Sequence, residues 1–353
     1  MNQTAKMIKV LIVDDSAFMR KVIGDILSED PSINVVGRAR NGREALKLFD
    51  ELSPDVVTLD IEMPGMNGIE VLKSMMAKKP VPIVMVSGLT KDGADVTMQA
   101  LDNGAVDFVT KPSGTISLDM DKVGDELRKK VLEASKATIQ RGASNLKPAA
   151  AAPAAPVQRR EPPKHSELVA IAASTGGPMA LQELIPALPA NFPVPIVLVQ
   201  HMPPGFTSSF ASRLDERSKL TVVEAEDGMP VKKGMVIVAP GGYHLIVEKK
   251  NMALICRLTE TAPVRSVRPA ADVLFGSIAD VVGGAVIALI LTGMGKDGLD
   301  GTRALREKGA YVMAEAKETC VIYGMPGAVI DAGLADEVLP LYSIAANLVR
   351  VAK

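Results

Sequence analysis

Cysteine is nearly missing from this chain: of 353 residues only Cys256 and Cys320 carry a thiol. Neither has a CxxC partner, so a disulfide scaffold is excluded and a reducing compartment fits. Aromatic residues are scarce at 3%, with no Trp, which argues against base stacking as a mode of nucleic-acid binding. An excess of one charge is also missing. Lys and Arg number 40 against 41 Asp and Glu, a net charge of -1, whereas a broad phosphate-binding surface needs a basic excess. The longest uncharged apolar stretch, Val281 to Gly295, is interrupted by glycines and falls short of the ~20 residues of a membrane span. The opening run MNQTAKMIKVLIVDD meets acidic residues at once and has no signal-peptide h-region. Together these features predict a soluble protein of the cytoplasm, with no nucleic-acid partner and no membrane insertion.

What is present points to folded α/β domains. Hydrophobic residues make up 47% of the chain, enough for sizeable cores. The length suits two domains, at roughly 100–200 residues each. The run Lys147 to Lys164, KPAAAAPAAPVQRREPPK, reads as an extended linker because its prolines remove donors and disfavour helix. The expected division is a first domain over 1–130, a linker over 131–165 and a second domain over 166–353. In the first, strand-like runs at 10–13, 35–36, 56–59, 83–86 and 106–109 alternate with helical spacing at 18–27, 43–52, 69–77 and 96–101. This predicts a doubly wound, five-stranded parallel sheet. In the second, strands are expected at 168–172, 196–200, 236–239 and 285–292, and helices at 178–188, 207–216 and 270–282. A β-hairpin is expected over 243–258, turning at Lys249-Lys250-Asn251. That is a Rossmann-like α/β domain with a mostly parallel sheet, expected to be mixed because of the hairpin.

In such sheets ligands sit beyond the carboxyl ends of the strands. Asp14 and Asp15 follow the first strand, Asp60 ends the third, Ser87 the fourth, and Lys111 follows the fifth. Three crowded carboxylates repel one another unless a cation compensates them, and their oxygens suit Mg²⁺. A carboxylate can attack a phosphoryl group, Lys111 can neutralise the added charge and Ser87 can hydrogen-bond it. The plainer reading of Asp14-Asp15 is a helix cap. Residues 7–130 resemble the receiver domain of two-component response regulators, most specifically in the run from Asp60 to Gly68, DIEMPGMNG. The resemblance implies Asp60 as phosphoacceptor. It implies that Asp14, Asp15, Asp60 and the Glu62 carbonyl serve Mg²⁺, with Ser87, Phe108 and Lys111 as switch residues. Phe108 also suits a plain packing role.

The second half offers a nucleophile. Ser174, in the run from Ile171 to Pro178, IAASTGGP, follows a strand and opens a helix, where unpaired N–H groups stabilise negative charge. A serine needs a base, and histidine is rare: only His165, His201 and His244. His201 ends a strand at the same expected edge. His165 lies at the linker end, and His244, at the start of the hairpin, is the competing base or a pocket-lining residue. A base needs an orienting acid. Asp297, in the run from Leu291 to Gly298, LTGMGKDG, is the candidate, with Asp300 as the nearby alternative. Without catalysis, the same turn would serve as an anion site. The turn lacks the first glycine of G-x-S-x-G, and the order Ser, His, Asp differs from that of α/β-hydrolases.

Residues 166–350 resemble the catalytic domain of bacterial chemotaxis protein-glutamate methylesterases, through the segments ASTGGP at 173–178, QHMP at 200–203 and LTGMGKDG at 291–298. The resemblance implies Ser174 as nucleophile, His201 as base and Asp297 as orienter. It further implies support of the histidine by Thr175 and an oxyanion donor in the Met294 N–H. The hydrolase reaction would need no cofactor. Methyl-accepting chemotaxis receptors are the implied substrates and a chemotaxis histidine kinase the phosphodonor, with an unphosphorylated receiver blocking the catalytic half. The rivals are a receiver-regulated esterase or peptidase of other substrate, and a non-catalytic receptor adaptor and phosphate sink. Arg265 and Arg268 suit either contact with acidic receptor helices or a solvated loop.

Overall fold

A computed structural model describes residues 7–88, 90–111, 118–137 and 160–353. The chain divides into two compact units, Met1–Leu146 and Lys147–Lys353. Of the expected linker at 131–165, residues 138–159 lie outside the described residues.

In the first unit the elements are β1 (Ile8–Val13), α1 (Ala17–Ser28), β2 (Ile33–Ala39), α2 (Gly42–Leu52), β3 (Val56–Asp60), α3 (Gly68–Lys78), β4 (Ile83–Ser87), α4 (Lys91–Asp102), β5 (Asp107–Thr110) and α5 (Leu118–Ala134). The strands lie in the order β2-β1-β3-β4-β5 with every pairing parallel, the architecture the alternation predicts. Strands β3 and β4 are buried at every residue, as a sheet covered on both faces requires. Strand β2 is longer than the expected 35–36. It lies at the sheet edge, where Asn34, Gly37 and Arg38 pair with β1 without interrupting the core. Helix α4 begins five residues before the expected Val96, because the Thr90 side chain caps it by accepting from Gly93 N–H. Helix α5 was not anticipated: its buried residues, Leu127, Val131 and Ala134, are sparse among charged neighbours.

The second unit contains β6 (Leu168–Ala173), α6 (Gly177–Ala187), β7 (Ile196–Gln200), α7 (Phe206–Arg217), β8 (Thr221–Glu224), β9 (Met235–Val238), β10 (His244–Lys250), β11 (Ala253–Thr259), α8 (Ala271–Val281), β12 (Val286–Ile290), α9 (Leu299–Glu307), β13 (Tyr311–Glu315), α10 (Met325–Asp331), β14 (Glu337–Leu339) and α11 (Leu341–Val351). Seven strands run β14-β13-β12-β6-β7-β9-β8, all parallel, while β10 and β11 form a separate two-stranded sheet. The expected mixed sheet is therefore not formed: among the described residues antiparallel pairing of strands is confined to the separate hairpin, to which Pro230 adds one antiparallel bridge at Ile255. The hairpin turn falls at Asn251-Met252, one residue later than expected, with φ of 48° and 66°. A tight turn with both central residues left-handed matches the twist of the flanking strands.

Helix α8 ties the hairpin to the main sheet. Its Leu274, Phe275 and Ile278 are buried in one cluster with Val247 and Cys256 of the hairpin and Ala172 and Ile290 of the sheet. Burial of each such large side chain contributes about 2–3 kcal/mol. From β6 the chain proceeds to β7 on one side and later to β12 on the other. The carboxyl end of β6 is thus a topological switch point, where a crevice opens between diverging connections. Among the described residues, no helix is long and apolar enough to cross a membrane.

Candidate active site

The first unit gathers its acidic residues as the strand ends require. Asp14, Asp15 and Asp60 each offer a carboxylate oxygen within 4.8 Å of the others. Lys111 Nζ lies 2.8 Å from Asp60 Oδ2 and 3.4 Å from Asp14 Oδ2. The helix α1 cap is Ser16, whose side chain accepts from Met19 N–H at 3.3 Å, so the aspartate pair is not consumed as a cap. Burial pushes the Asp60 carboxyl up to about 6, opposed by the hydrogen bond from Lys111 and reinforced by Asp14. Glu62 contributes its N–H to Asp60 Oδ1 at 3.2 Å. Ser87 is buried, and its hydroxyl accepts from Thr97 Oγ1 at 2.7 Å. Phe108 is buried with the Lys130 ammonium 5.2 Å from its ring centre. The donor set, the buried Asp14 and Asp60 with the exposed Asp15, is of the hard oxygen type that Mg²⁺ prefers.

In the second unit, parallel pairing sets the serine beside the histidine. Ala173 of β6 registers with Gln200 of β7, and His201 N–H donates to Ala173 O at 3.1 Å. The next residues, Ser174 and His201, therefore leave adjacent strands at one edge. Ser174 opens a tight turn whose carbonyl accepts from Gly177 N–H at 2.7 Å and from the buried Gln200 Nε2 at 3.0 Å. Gly176 has φ +79°, and a Cβ there would stand 2.5 Å from Val321 Cβ. Both conformation and space restrict this position to glycine.

Asp297 reaches the same place from the loop after β12. Its Oδ2 lies 2.7 Å from His201 Nε2. The carboxylate also accepts from the N–H groups of Ala271 (2.6 Å) and Asp272 (3.0 Å) at the start of α8, where the helix dipole favours negative charge. Burial opposes its ionisation, yet His201 and these two N–H groups outweigh it and hold the carboxyl below the usual carboxylate range. An ionised acceptor assigns the proton on that side of the ring to Nε2, which leaves Nδ1 as the basic nitrogen. Thr175 is buried beside Ser174. The Met294 N–H has no acceptor among the described residues. Gly293 lets this loop approach closely: a Cβ there would fall 2.8 Å from Ser174 Cβ.

Two family models cover the chain: the response regulator receiver domain over residues 10–120 and CheB methylesterase over residues 169–348. A protein-glutamate methylesterase/protein-glutamine glutaminase from Geobacillus kaustophilus is 51% identical, over 98% of this chain and 99% of its own. The chain belongs to the CheB methylesterase family. A Thermotoga maritima relative of the same name is 48% identical over 99% of both chains. The crystal structure of the Thermotoga maritima CheB methylesterase catalytic domain matches 53% of this chain and 99% of that one, at 50% identity and a TM-score of 0.52.

The remaining sequence candidates take other places in this methylesterase. His244 is fully buried with both ring nitrogens engaged: Nδ1 accepts from Ala270 N–H at 3.1 Å, and Nε2 lies 3.1 Å from Ala262 O. It closes the loop that leads into α8 and has no nitrogen left to act as a base. His244→Phe is expected to strand the buried Ala270 N–H, costing about 1–3 kcal/mol in urea unfolding, while the folded fraction keeps its activity; His201→Phe is expected to do the reverse. His165 is exposed. Asp300 pairs with Arg265 and with Arg303 Nη1 at 2.8 Å. Arg265 also holds Asp272 at 3.0 Å, and Arg268 donates to the carbonyls of Glu260 and Thr261 at 2.9 and 3.1 Å. Arg268 thus braces its own loop, and Arg265 ties that loop to α8 and α9. Cys256 and Cys320 are free and buried, and burial raises the pKa of each thiol.

Two contributors escaped sequence reading. The N–H groups of Ala271 and Asp272 carry no side-chain signature, since any helix start offers such donors. Glu315 was also missed. It ends a strand that had not been anticipated and accepts from Thr292 N–H at 2.8 Å.

Proposed function

We propose that this chain hydrolyses glutamate γ-methyl esters on methyl-accepting chemotaxis receptors, and deamidates receptor glutamines, in the cytoplasm, by a Ser174–His201–Asp297 triad under receiver control. The observation that supports the triad most directly is the 2.7 Å contact between His201 Nε2 and Asp297 Oδ2, at the strand edge where Ser174 emerges. In this reading His201 Nδ1 removes the Ser174 proton as Oγ attacks the ester carbonyl carbon. The Met294 N–H holds the oxyanion, a contribution of about 2.7–4 kcal/mol for one donor, and Thr175 supports the histidine. Collapse breaks the carbon–methoxy bond, and the imidazolium gives its proton to the departing oxygen, releasing methanol. Water then attacks the acyl-enzyme, His201 takes one proton and returns it to Ser174 Oγ, and glutamate leaves. With glutamine the first leaving group is ammonia, from a less electrophilic carbonyl.

In the receiver, Asp60 accepts the phosphoryl group from a chemotaxis histidine kinase. Asp14, Asp15, Asp60 and the Glu62 carbonyl would hold Mg²⁺, which supplies charge neutralisation when bound. Lys111 and Ser87 meet the new phosphoryl oxygens, and Phe108 responds as the switch aromatic. The phosphoryl group favours one receiver surface over another, and this shifts the state of the hydrolase. The test uses the full chain with Mg²⁺ and a small acyl-phosphate donor. Methanol release from a methylated receptor fragment is expected to rise about 5–150-fold, the usual span of allosteric coupling, and Asp60→Asn is expected to abolish the rise. An equal rise in both proteins refutes control through Asp60.

A further inference from the structure

Glu315 is a fully buried carboxylate that the proposed reaction leaves unused. Its Oε2 accepts from Thr292 N–H at 2.8 Å, and its Oε1 is buried with no hydrogen-bond partner among the described residues. Burial pushes its carboxyl up to about 7, against the pull of the Thr292 N–H and of the neighbouring Thr319 and Cys320 side chains, and Glu183 adds repulsion. A site this costly to a carboxyl group is uncommon unless the group does something specific.

The other end of that hydrogen bond is the junction of three segments. Thr292 O accepts from Ser174 N–H at 3.0 Å. Thr292 Oγ1 shares its hydrogen between Thr175 O at 3.0 Å and Ile322 O at 3.2 Å, and accepts from Ile322 N–H at 2.9 Å. Gly293 O then accepts from the N–H groups of Gly324 (3.1 Å) and Met325 (2.9 Å). Every polar atom of Thr292 is thus committed, with Glu315 on one side, the Ser174-Thr175 turn on the other and Met294 two residues ahead. A carboxyl oxygen accepts from a backbone N–H in either protonation state, and the end of a buried strand is a rigid place from which to present it.

We infer that Glu315 and Thr292 are positioning residues, a buried brace that fixes the Ser174 turn against the loop carrying the Met294 N–H. The inference rests on the proposed roles of Ser174 and Met294. Its consequence is specific: loosening the brace separates nucleophile from oxyanion donor without touching the substrate-binding surface. A misplacement of about 1 Å at such a site costs about 10²-fold in rate.

The experiment uses the phosphodonor-activated full chain and a methylated receptor fragment. Wild type, Ser174→Ala, Glu315→Gln, Glu315→Leu, Thr292→Ser and Thr292→Val are compared, with folded content checked by circular dichroism. Glu315→Leu is expected to lower kcat about 10²-fold with KM unchanged within about twofold, whereas Glu315→Gln, which keeps an acceptor for the Thr292 N–H, stays within about threefold of wild type. Thr292→Val is expected to lower kcat about 10-fold, with Thr292→Ser near wild type. If Glu315→Leu does not fold, the Thr292 pair decides. A wild-type kcat in folded Glu315→Leu or in Thr292→Val, or a loss confined to KM, overturns the brace. Absence of methanol release by wild type, or full release by Ser174→Ala, instead overturns the triad reading beneath it.

Discussion

Ser174→Ala is expected to lower methanol release from a methylated receptor fragment by at least about 10⁴-fold, while leaving the fold intact. Removing a triad nucleophile costs up to about 10⁶-fold, and what survives comes from the oxyanion donor and from substrate binding. The fold should hold because the turn is secured by backbone atoms. Ser174 N–H donates to Thr292 O, and Ser174 O accepts from Gly177 N–H and Gln200 Nε2. None of these involves the hydroxyl. The measurement is single-turnover methanol release, with thermal unfolding run alongside. Retained release would take Ser174 out of the chemistry, whereas no release even by the wild type would favour the adaptor reading. Loss of release from receptor fragments and small esters alike supports the triad, whereas activity on small esters with none on receptor fragments points to an esterase of other substrate.

Asp297→Asn carries the second large effect, an expected fall in kcat of about 10³–10⁴-fold with KM nearly unchanged. The reason lies in three donors that share two carboxylate oxygens. The carboxylate accepts from His201 Nε2, Ala271 N–H and Asp272 N–H at once, and an amide cannot accept all three. If its NH₂ takes the Oδ2 position, it confronts the Ala271 N–H and donates to His201 Nε2. The proton on the ring then moves to Nδ1, the wrong tautomer for receiving a proton from Ser174. If the NH₂ takes the Oδ1 position, the tautomer survives but Asp272 N–H is left facing a donor and the negative charge that steadies the imidazolium is gone. Either way the base is impaired while the substrate surface is untouched. Wild-type kcat in Asp297→Asn would remove the orienting role. The two arrangements are told apart by the nitrogen shifts of His201 in NMR spectra.

The amino-acid sequence by itself determined the two-part α/β organisation, because short apolar runs at strand ends and amphipathic stretches between them leave few topologies open. It also indicated Asp60, Ser174, His201 and Asp297, since each stands where a strand is expected to stop or in the glycine-bounded loop after one, and few other residues of suitable chemistry do. Periodicity failed at the edge strand β2 and the sparsely apolar α5, where the core makes few demands, and it also passed over β13, which is buried at every residue. Only the tertiary structure decided which histidine has a free nitrogen. His201 and His244 look alike in sequence, but one meets a carboxylate and the other is occupied by two backbone groups. Only it revealed that the first N–H groups of α8 hold Asp297 and that Glu315 lies beneath Thr292. The physical reason is common to these cases. A backbone donor exists at nearly every residue, so its significance depends on which distant acceptor the packing of separate strands and helices brings within about 3 Å of it.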